Sequence, residues 1–347
     1  MITVAVDAMG GDLGPEAVVE GVCTISREDA PIQVLLVGDG AVLTPLLETQ
    51  RYDPTRLALA HASLHCSQND KPKAFLDANP ECSVLLASDL VARGEAQAVV
   101  SCGNTGALIL AASQKFTRLP GIRRAALAAV HPTERVHGPH NDPFALMLDV
   151  GATLTATAED LVGFAVMGSA YAQVISDTES PLVALLSNGG EAHKGTPAIV
   201  EAHARLLGHK GINFAGNVEG LDIPKGTVDV VVCEGFLGNV VLKMLEGVSE
   251  VVADIAKDAY ARKFLWKMGL TMLSEGIRQI RTMTDWREYG GAPVLGFDHV
   301  VIKAHGRSNP QAIRNAVRVA RKAVDRGLAD KIREGMAYVI EAGDAPD

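Results

Sequence analysis

Residues 96–112 read AQAVVSCGNTGALILAA, and they decide the fold class. The apolar residues before Ser101 fit a short buried strand, and those after Gly106 fit the start of a helix. The connecting SCGNTG (101–106) is rich in Gly, Asn and Thr, and its one ionisable side chain is that of Cys102. A strand that passes through such a turn directly into a helix is typical of α/β proteins.

The same alternation of apolar runs and helical patterns recurs along the chain. Continuous apolar runs favour strands that are buried on both faces. Strands are predicted near residues 2–6, 32–37, 97–101, 125–130, 144–149, 181–186, 228–232 and 300–304. Helices are predicted at residues 15–27, 83–93, 106–116, 159–175, 197–207, 236–257 and 310–326. The pattern predicts a doubly wound, mostly parallel α/β sheet in a single large domain over residues 1–347.

Residues 250–286 lack a strand pattern and are predicted to form a helical protrusion from this domain. They contain FLWKMGLTML (264–273), with Arg262 and Lys263 beside it. Apolar residues with flanking basic side chains fit an interfacial helix that binds anionic lipid. They equally fit a segment that packs in a dimer or in the core. For the first alternative, the candidate membrane contacts are Leu265, Trp266, Met268 and Leu270.

Composition limits the classes of function. The chain has 347 residues, of which 48% are hydrophobic, and these are enough for a large core. Its formal net charge of −9 argues against a general nucleic-acid binder. Its 5 cysteines form no C-x-x-C pair, which suits a reducing compartment, and the N-terminus lacks the pattern of a signal peptide. We therefore expect a cytoplasmic protein without a nucleic-acid partner.

Five polar loops follow predicted strands and precede predicted helices. They are DAMGGDLGPE (7–16), SCGNTGAL (101–108), SNGGEAHKGTP (187–197), CEGFLGNV (233–240) and HGRSNP (305–310). The carboxyl ends of parallel strands lie along one edge of a sheet, where helix N-termini offer free N–H groups to anions. The loops therefore predict a shared site for a phosphate-sized anion, although loops rich in Gly and Asn are also ordinary turns.

Standard cofactor and catalytic signatures do not occur in the sequence. It has no G-x-G-x-x-G, P-loop, G-x-S-x-G, H-E-x-x-H or EF-hand pattern. The spacing of His131, His137 and His140 matches no common zinc site. Cys102 fits either a nucleophile at a helix N-terminus or a small residue in a tight turn. We expect no metal ion and no cofactor.

Six sequence blocks carry a resemblance to a known family. They are VAVDAMGGDLGPE, VSCGNTGAL, LDVGAT, GNVEGLDIPKGTVDVVVCEGFLGNVVLK, YGGAPVLGF and AHGRSNP, in this order along the chain up to about residue 326. Together they resemble the bacterial phosphate acyltransferase of phospholipid synthesis, the PlsX family. The resemblance implies a homodimer with the fold of phosphotransacetylases and isocitrate-type dehydrogenases.

The resemblance also implies a reaction. A long acyl chain moves from the thioester of acyl carrier protein to inorganic phosphate, and the acyl phosphate then serves a membrane glycerol-3-phosphate acyltransferase. Such an enzyme would work in the cytoplasm with peripheral contact to the membrane. Two other functions remain open, namely a short-chain phosphotransacetylase that uses acyl-CoA and a non-catalytic scaffold that recruits partners to the membrane.

The site residues follow from what phosphate attack on a thioester requires, which is an oriented phosphate and a stabilised oxyanion. The candidate catalytic residues are Lys194 as the mobile positive charge, Asn104 and Asn239 as donors, and His305. His305 would either protonate the leaving thiol or have a purely structural role. The candidates for binding phosphate or substrate are Asp7, Gly10, Gly11, Gly103, Thr105, Gly106, Asn217, Glu234 and Gly238. Asp7 and Glu234 would position Lys194 or a helix N-terminus, and Asp7 would alternatively cap its own turn.

Overall fold

A single continuous β-sheet forms the centre of the molecule in a computed structural model. The structure describes residues 1–137, 142–262, 268–269, 271–273 and 290–343. The strands are β1 (Ile2–Asp7), β2 (Ile32–Gly38), β3 (Leu57–His61), β4 (Ala98–Ser101), β5 (Ala126–His137), β6 (Asp142–Leu148), β7 (Leu182–Leu186), β8 (Asn213–Val218), β9 (Val230–Val232), β10 (Ala292–Leu295) and β11 (Val300–Lys303).

Helices cover both faces of this sheet. They are α1 (Gly14–Ser26), α2 (Gly40–Glu48), α3 (Pro72–Ala78), α4 (Ser83–Ala92), α5 (Thr105–Lys115), α6 (Ala158–Ile175), α7 (Pro197–Leu207), α8 (Asp222–Lys225), α9 (Gly235–Arg262), α10 (Pro310–Asp325) and α11 (Leu328–Gly343). Alternate residues of one strand enter different cores, since Val4 and Val6 belong to one apolar cluster and Ala5 to the other. The predicted doubly wound α/β class is confirmed.

The strand order is β3-β2-β1-β4-β11-β10-β5-β6-β9-β7-β8. The pairs β10–β11, β10–β5 and β5–β6 are antiparallel, and the other neighbouring pairs are parallel. The sheet is therefore mostly parallel, as predicted. However, β6, β7, β8 and β9 run opposite to β1, β2, β3, β4 and β11.

This reversal of direction corrects the prediction that all five polar loops lie along one edge. The loops after β1, β4 and β11 meet at one edge, and those after β7 and β9 leave from the opposite edge. The cause is the antiparallel pairing of β5 with β6, because β10 pairs antiparallel with both β11 and β5 and so leaves β5 in the same direction as β11. The strands β5 and β6 were both predicted, but an apolar run does not reveal the direction in which two strands pair, so the sequence analysis could not detect the reversal. The short strand β10, APVL, was not predicted.

Most other elements agree with the sequence pattern. The predicted start of α10 is confirmed. Asn309 is its N-cap, because Asn309 Oδ1 accepts a hydrogen bond of 2.9 Å from the N–H of Ala312, and Pro310 is the first residue of the helix. The missed strands β3 and β8 are partly exposed, so they lack the continuous apolar run of a strand that is buried on both faces. The missed helices are α2, α3, α8 and α11.

Helix α9 is longer than predicted and extends into the region expected to protrude. It contains 28 residues, which corresponds to about 42 Å at 1.5 Å per residue. The remainder of the predicted protrusion, up to residue 286, lies largely outside the described residues. In the part of the chain that is described, no helix is both long and apolar enough to span a bilayer.

Candidate active site

Strands β1, β4 and β11 end side by side at one edge of the sheet, which we call the cavity edge. Asp7 pairs with Ser101, and Ser101 pairs with Lys303. The buried carboxylate of Asp7 accepts hydrogen bonds of 2.7 Å from Ser101 Oγ and 3.2 Å from the N–H of Met9. Burial raises the pKa of Asp7, although these hydrogen bonds oppose the rise. Asp7 therefore caps its own turn, which was one of its two predicted roles, and ties β1 to β4.

The loop SCGNTG (101–106) connects β4 to α5 at the cavity edge. Asn104 is the N-cap of α5, because its Oδ1 accepts a hydrogen bond of 3.1 Å from the N–H of Ala107. Its Nδ2 donates a hydrogen bond of 3.1 Å to the main-chain oxygen of Ser67. Thr105, the first residue of α5, lines a cavity. The first N–H groups of a helix lack intrahelical partners and favour a bound anion, so this loop presents an anion-binding end that Asn104 holds in place.

Close packing of the loop after β1 against this turn explains the glycines. A Cβ on Gly11 would lie 2.7 Å from Cys102 Sγ, and one on Gly10, whose φ is +81°, would lie 3.2 Å from the Cα of Gly103. Gly106 has similarly little room beside α3, where a Cβ would lie 3.0 Å from a proline side chain. Gly10, Gly11 and Gly103 therefore allow the two loops to approach each other, and Gly106 allows α5 to approach α3.

Cys102 is buried between these loops. Burial is the main cause that raises the pKa of Cys102 to about 12. The thiol is therefore protonated at neutral pH, whereas the thiolate is the nucleophilic form. The structure favours the interpretation of Cys102 as a small residue in a tight turn over that of a nucleophile.

Lys303 is a candidate functional residue that the sequence analysis missed. It ends β11, is only 7% exposed and lines the same cavity as Thr105. Its Nζ donates hydrogen bonds to the main-chain oxygens of Cys102, at 3.4 Å, and Ala304. Burial lowers the pKa of Lys303 to about 8, although nearby acidic groups act in the opposite direction. The available signal was a single Lys within the otherwise apolar run VVIKA (300–304), which was assigned to a strand.

His305 follows β11 and also lines the cavity. Its Nδ1 accepts a hydrogen bond of 3.1 Å from the N–H of Arg307, so the neutral ring carries its proton on Nε2. Burial lowers the pKa of His305, and the positive charges of Lys243 and Lys303 lower it further. This environment favours a neutral N–H donor at physiological pH over the acid considered from the sequence.

Helix α9 forms the opposite wall of the cavity and carries the predicted catalytic residue Asn239. Its start is held by the loop after β6. The buried carboxylate of Asp149 accepts hydrogen bonds of 2.7–3.0 Å from three N–H groups and one hydroxyl of that loop and from one N–H of β5. Thr153 Oγ1 in turn accepts a hydrogen bond of 3.0 Å from the N–H of Gly235. These contacts fix the position from which α9 presents Asn239.

Gly238 and Glu234 stand at the same end of α9. The N–H of Gly238 donates a hydrogen bond of 2.9 Å to the main-chain oxygen of Glu234. A Cβ on Gly238 would collide with the main-chain oxygen of Asp149. Gly238 therefore allows α9 to pack on the loop after β6, and neither of these predicted binding residues lines the cavity.

Lys194 and Asn217 lie in the other half of the sheet. Asn217 Nδ2 donates a hydrogen bond of 2.9 Å to the main-chain oxygen of Glu191, and its Oδ1 lies 3.0 Å from Nδ1 of His203. These contacts hold the loop that carries Lys194. Strands β7 and β8 are six and seven positions from β4 in the sheet order, or roughly 29 and 34 Å at about 4.8 Å per strand. Within one chain, the structure does not bring Lys194 and Asn217 to Asn104.

The elements at the cavity edge, together with β5, β10 and α9, enclose a cavity of about 510 Å³. Its apolar wall is formed by Leu127, Ala129, Val130, Val150, Leu242 and Ala292. Its polar lining comes from Asp12, Gln68, Thr105, Asn239, Lys243, Glu246, Lys303 and His305. This size is typical of ligand pockets, and the two kinds of lining suit a ligand with a hydrocarbon part and an anionic part. Among the described residues, no group of His, Cys, Asp and Glu is placed to hold a metal ion.

The predicted membrane contacts fall mostly outside the described residues, since Leu265, Trp266 and Leu270 are not among them. Met268 is described and is 49% exposed. The lipid-facing role of this segment therefore stays a prediction.

Solved phosphotransacetylases share this fold over nearly the whole chain. The phosphotransacetylase from Streptococcus pyogenes gives a TM-score of 0.61 at 16% identity, and the match covers 95% of this chain and 94% of that one. A 4-hydroxythreonine-4-phosphate dehydrogenase from Klebsiella pneumoniae gives a TM-score of 0.53 at 12% identity and covers 93% of this chain and all of the other, 100%. The chain therefore has the predicted fold, that of the phosphotransacetylases, with a cavity at the carboxyl ends of strands.

Sequence relatives then define the family. A family described as fatty acid synthesis protein matches residues 2–331. The phosphate acyltransferase of Citrifermentans bemidjiense is 42% identical over 353 residues, covering 99% of this chain and 97% of the relative. That of Thermoanaerobacter pseudethanolicus is 38% identical over 330 residues, covering 95% and 96%. The chain belongs to the phosphate acyltransferase family, as its sequence blocks predicted, and is an acyltransferase.

Proposed function

We propose that this chain transfers a long-chain acyl group from the thioester of acyl carrier protein to inorganic phosphate. The products are acyl phosphate and free carrier protein, and the acyl phosphate supplies phospholipid synthesis. The observation that carries this proposal is the cavity, because its lining combines apolar and polar side chains that suit the two parts of an acyl phosphate. Phosphate as the acceptor also agrees with the names of the sequence relatives.

The chemistry is the attack of a phosphate oxygen on the thioester carbonyl carbon. A C–O bond forms, the C–S bond breaks, and the proton of monohydrogen phosphate ends on the leaving thiol. Because the phosphate oxygen is already a nucleophile, the protein needs to orient it and to stabilise the oxyanion of the tetrahedral intermediate. This route requires no covalent enzyme intermediate, which agrees with the buried, protonated thiol of Cys102.

The residues at the cavity divide these tasks. The N-terminus of α5, which begins at Thr105, offers N–H groups to the phosphate. The Nε2–H of His305 and the side-chain amide of Asn239 are the donors for the carbonyl oxygen as its negative charge develops. Within one chain, Lys194 and Asn217 lie in the other half of the sheet, so we assign them no step in this mechanism.

An assay with four thioester conditions tests the proposal. The purified chain is incubated with long-chain acyl carrier protein, with and without phosphate, and with long-chain acyl-CoA and acetyl-CoA in parallel. We expect acyl phosphate, trapped as a hydroxamate, only from the carrier protein thioester in the presence of phosphate. Equal turnover of acetyl-CoA would support a short-chain phosphotransacetylase instead, and no turnover of any thioester would support a scaffold.

We also propose that the chain forms a homodimer through α9. Exposed apolar side chains recur along this helix at spacings of three or four residues, so they form one stripe. They are Phe236, Val240, Met244, Val248, Val251 and Ile255. An apolar stripe of this length is typical of helices that pack against a partner. Replacing Met244 and Val251 by Glu is expected to give monomers in sedimentation velocity, and a stable dimer of that variant would contradict the proposal.

The hydrophobicity of the proposed product favours an enzyme that acts next to the membrane. An acyl chain of about sixteen carbons carries on the order of 12 kcal/mol of hydrophobic transfer energy, at ~0.8 kcal/mol per methylene. Release of such a product into bulk water is unfavourable, so we propose a cytoplasmic enzyme with peripheral membrane contact near Met268. Its acyl phosphate would pass to a membrane glycerol-3-phosphate acyltransferase.

A further inference from the structure

Lys303 carries a buried amino group to the polar end of the cavity. Its side chain is 7% exposed and contributes to the cavity lining together with Thr105 and His305. It is the last residue of β11, a strand that is otherwise apolar and buried. Two parallel strand neighbours place it one position from Ser101 of β4 and two from Asp7 of β1. The amino group therefore sits where the three loops of the cavity edge meet.

The partners of this amino group are main-chain oxygens. Nζ donates to the carbonyl oxygens of Cys102 and Ala304. Within the described ranges of the chain, no carboxylate forms an ion pair with Lys303. The carboxylate of Asp7 is instead occupied by Ser101 Oγ and the N–H of Met9. Burying a charge without a counter-ion is costly, so such a group is expected to meet an anion when the cavity is filled.

We propose that Lys303 binds the phosphate substrate directly and supplies the positive charge of the phosphate site. This inference rests on the proposed function in that phosphate is the acyl acceptor. The N-terminus of α5 at Thr105 and the Nζ of Lys303 line the same cavity, so both would hold one phosphate between them. Lys303 takes the role that the sequence analysis gave to Lys194.

The groups around Lys303 define a test by pH. Asp7 on β1, Asp12 in the next loop, Cys102 after β4 and His305 after β11 all interact with it electrostatically. The pKa of Lys303 is lowered to about 8, that of Cys102 is raised to about 12, and that of His305 is lowered. Lys303 is therefore expected to lose its charge between about pH 7 and 9.5, and anion binding should weaken as it does. The pKa of the buried Asp7 is also raised, so Lys303→Met serves to separate the two groups, because the contribution of Lys303 to the pH dependence is absent in that variant. Sulfate is the suitable probe, because its own charge does not change in this range.

The decisive experiment measures anion binding apart from turnover. Phosphate and sulfate are titrated calorimetrically into the wild-type chain, Lys303→Met, Lys303→Arg and the control Lys210→Met. We expect Lys303→Met to weaken phosphate affinity about tenfold or more, the scale of a charge-assisted hydrogen bond, and Lys303→Arg to restore part of it. Lys210→Met, at an exposed lysine that does not line the cavity, should bind phosphate as the wild type does. Kinetically, Lys303→Met should raise the KM for phosphate and leave the KM for the acyl thioester unchanged.

The outcomes separate this inference from the proposed function. Unchanged phosphate affinity in folded Lys303→Met, or an equal loss in Lys210→Met, would overturn the role of Lys303. If Lys303→Met does not fold, the wild-type sulfate titration decides alone, since sulfate affinity that stays constant from pH 7 to 9.5 also overturns it. If the wild type binds phosphate through Lys303 but turns over no thioester, the proposed function fails while this inference stands.

Discussion

Asp7 and Ser101, 94 residues apart in the sequence, share a hydrogen bond of 2.7 Å inside the protein. The same hydroxyl accepts a hydrogen bond of 3.1 Å from the N–H of Gly103, so Ser101 connects the first strand to the loop that begins α5. A buried carboxylate thus determines the shape of a loop that itself carries no charge. The contact explains how a turn of Gly, Asn and Thr keeps one conformation beside the cavity.

Ser101→Ala is expected to destabilise the fold, and more so at neutral than at acidic pH. The pKa of Asp7 is raised in the folded state, so its contribution to stability is full below the unfolded value near 3.8 and is lost as pH rises through the folded-state pKa. Removing the hydroxyl raises that pKa further, so the free energy of unfolding should fall by about 1.5–3 kcal/mol at pH 7 and by less at pH 4. Denaturant unfolding at both pH values measures this. Ser113→Ala, on the exposed side of α5, is the control, and an equal loss at both pH values for Ser101→Ala would argue against the role of Asp7.

Cys102→Ala should keep most of the acyltransferase activity. The thiol is buried and its pKa is about 12, so the reactive thiolate is scarce at neutral pH. Steady-state turnover of the variant, with circular dichroism as the check on folding, measures this. An inactive but folded Cys102→Ala would mean that the acyl group passes through a covalent intermediate on the enzyme.

Asn104→Ala should lose about 1 kcal/mol of stability, because the N-cap of α5 loses its acceptor for the N–H of Ala107. Turnover should fall by about tenfold, since the N-terminus of α5 shifts at the cavity. Asn104→Asp keeps the acceptor and should retain most of the stability. Thermal unfolding and kcat of both variants test this, and equal stability of the Ala and Asp variants would speak against capping.

His305→Ala is expected to lower kcat by about 10²-fold, the scale of one oxyanion donor. The pKa of His305 is lowered, so the neutral ring predominates at pH 7 and kcat should fall only below that lowered pKa. His305→Gln keeps an N–H donor and should recover part of the rate. The pH profile of kcat distinguishes a neutral hydrogen-bond donor from a general acid. If His305 had to be protonated to act as an acid, kcat would fall as the pH rises through the same pKa.

Replacing Leu265, Trp266 and Leu270 by Ser is expected to abolish sedimentation with anionic liposomes. The physical reason is the loss of apolar side chains beside basic residues, which together bind a lipid surface. Dimerisation and turnover in solution should persist. Loss of the dimer or of solubility in this variant would show that the segment is packed inside the protein.

Much of this fold could be predicted because buried strands have a simple sequence pattern. The runs that became β1, β4 and β7 are apolar throughout, and each is followed by a polar turn and a helical pattern. The short strand β10 lacked such a signal, since APVL forms a strand only by pairing with β11 and β5. The direction of half of the sheet depends on another tertiary contact, the antiparallel pairing of β5 with β6.

The site was predicted in part for the same reason. Thr105, Asn239 and His305 do line one cavity, and Asp7 and Asn104 hold its loops. Lys194 was assigned to the same site on the assumption that all strands end at one edge. Lys303 was overlooked because a lysine at a strand end is usually exposed, and only the packing of neighbouring strands and loops buries it.

The position of β10 and β11 in the sheet has a consequence for how the chain folds during synthesis. These two strands come from residues 292–303, yet they join β4 to β5 at the middle of the sheet. Val99 pairs with Val301, about 200 residues later in the sequence. The ribosome releases the N-terminal segments first, so β4 and β5 emerge with unpaired edges that are open to aggregation until the last strands arrive. Lys303 and His305 arrive with those strands, and catalytic competence is therefore among the last properties that the nascent chain acquires.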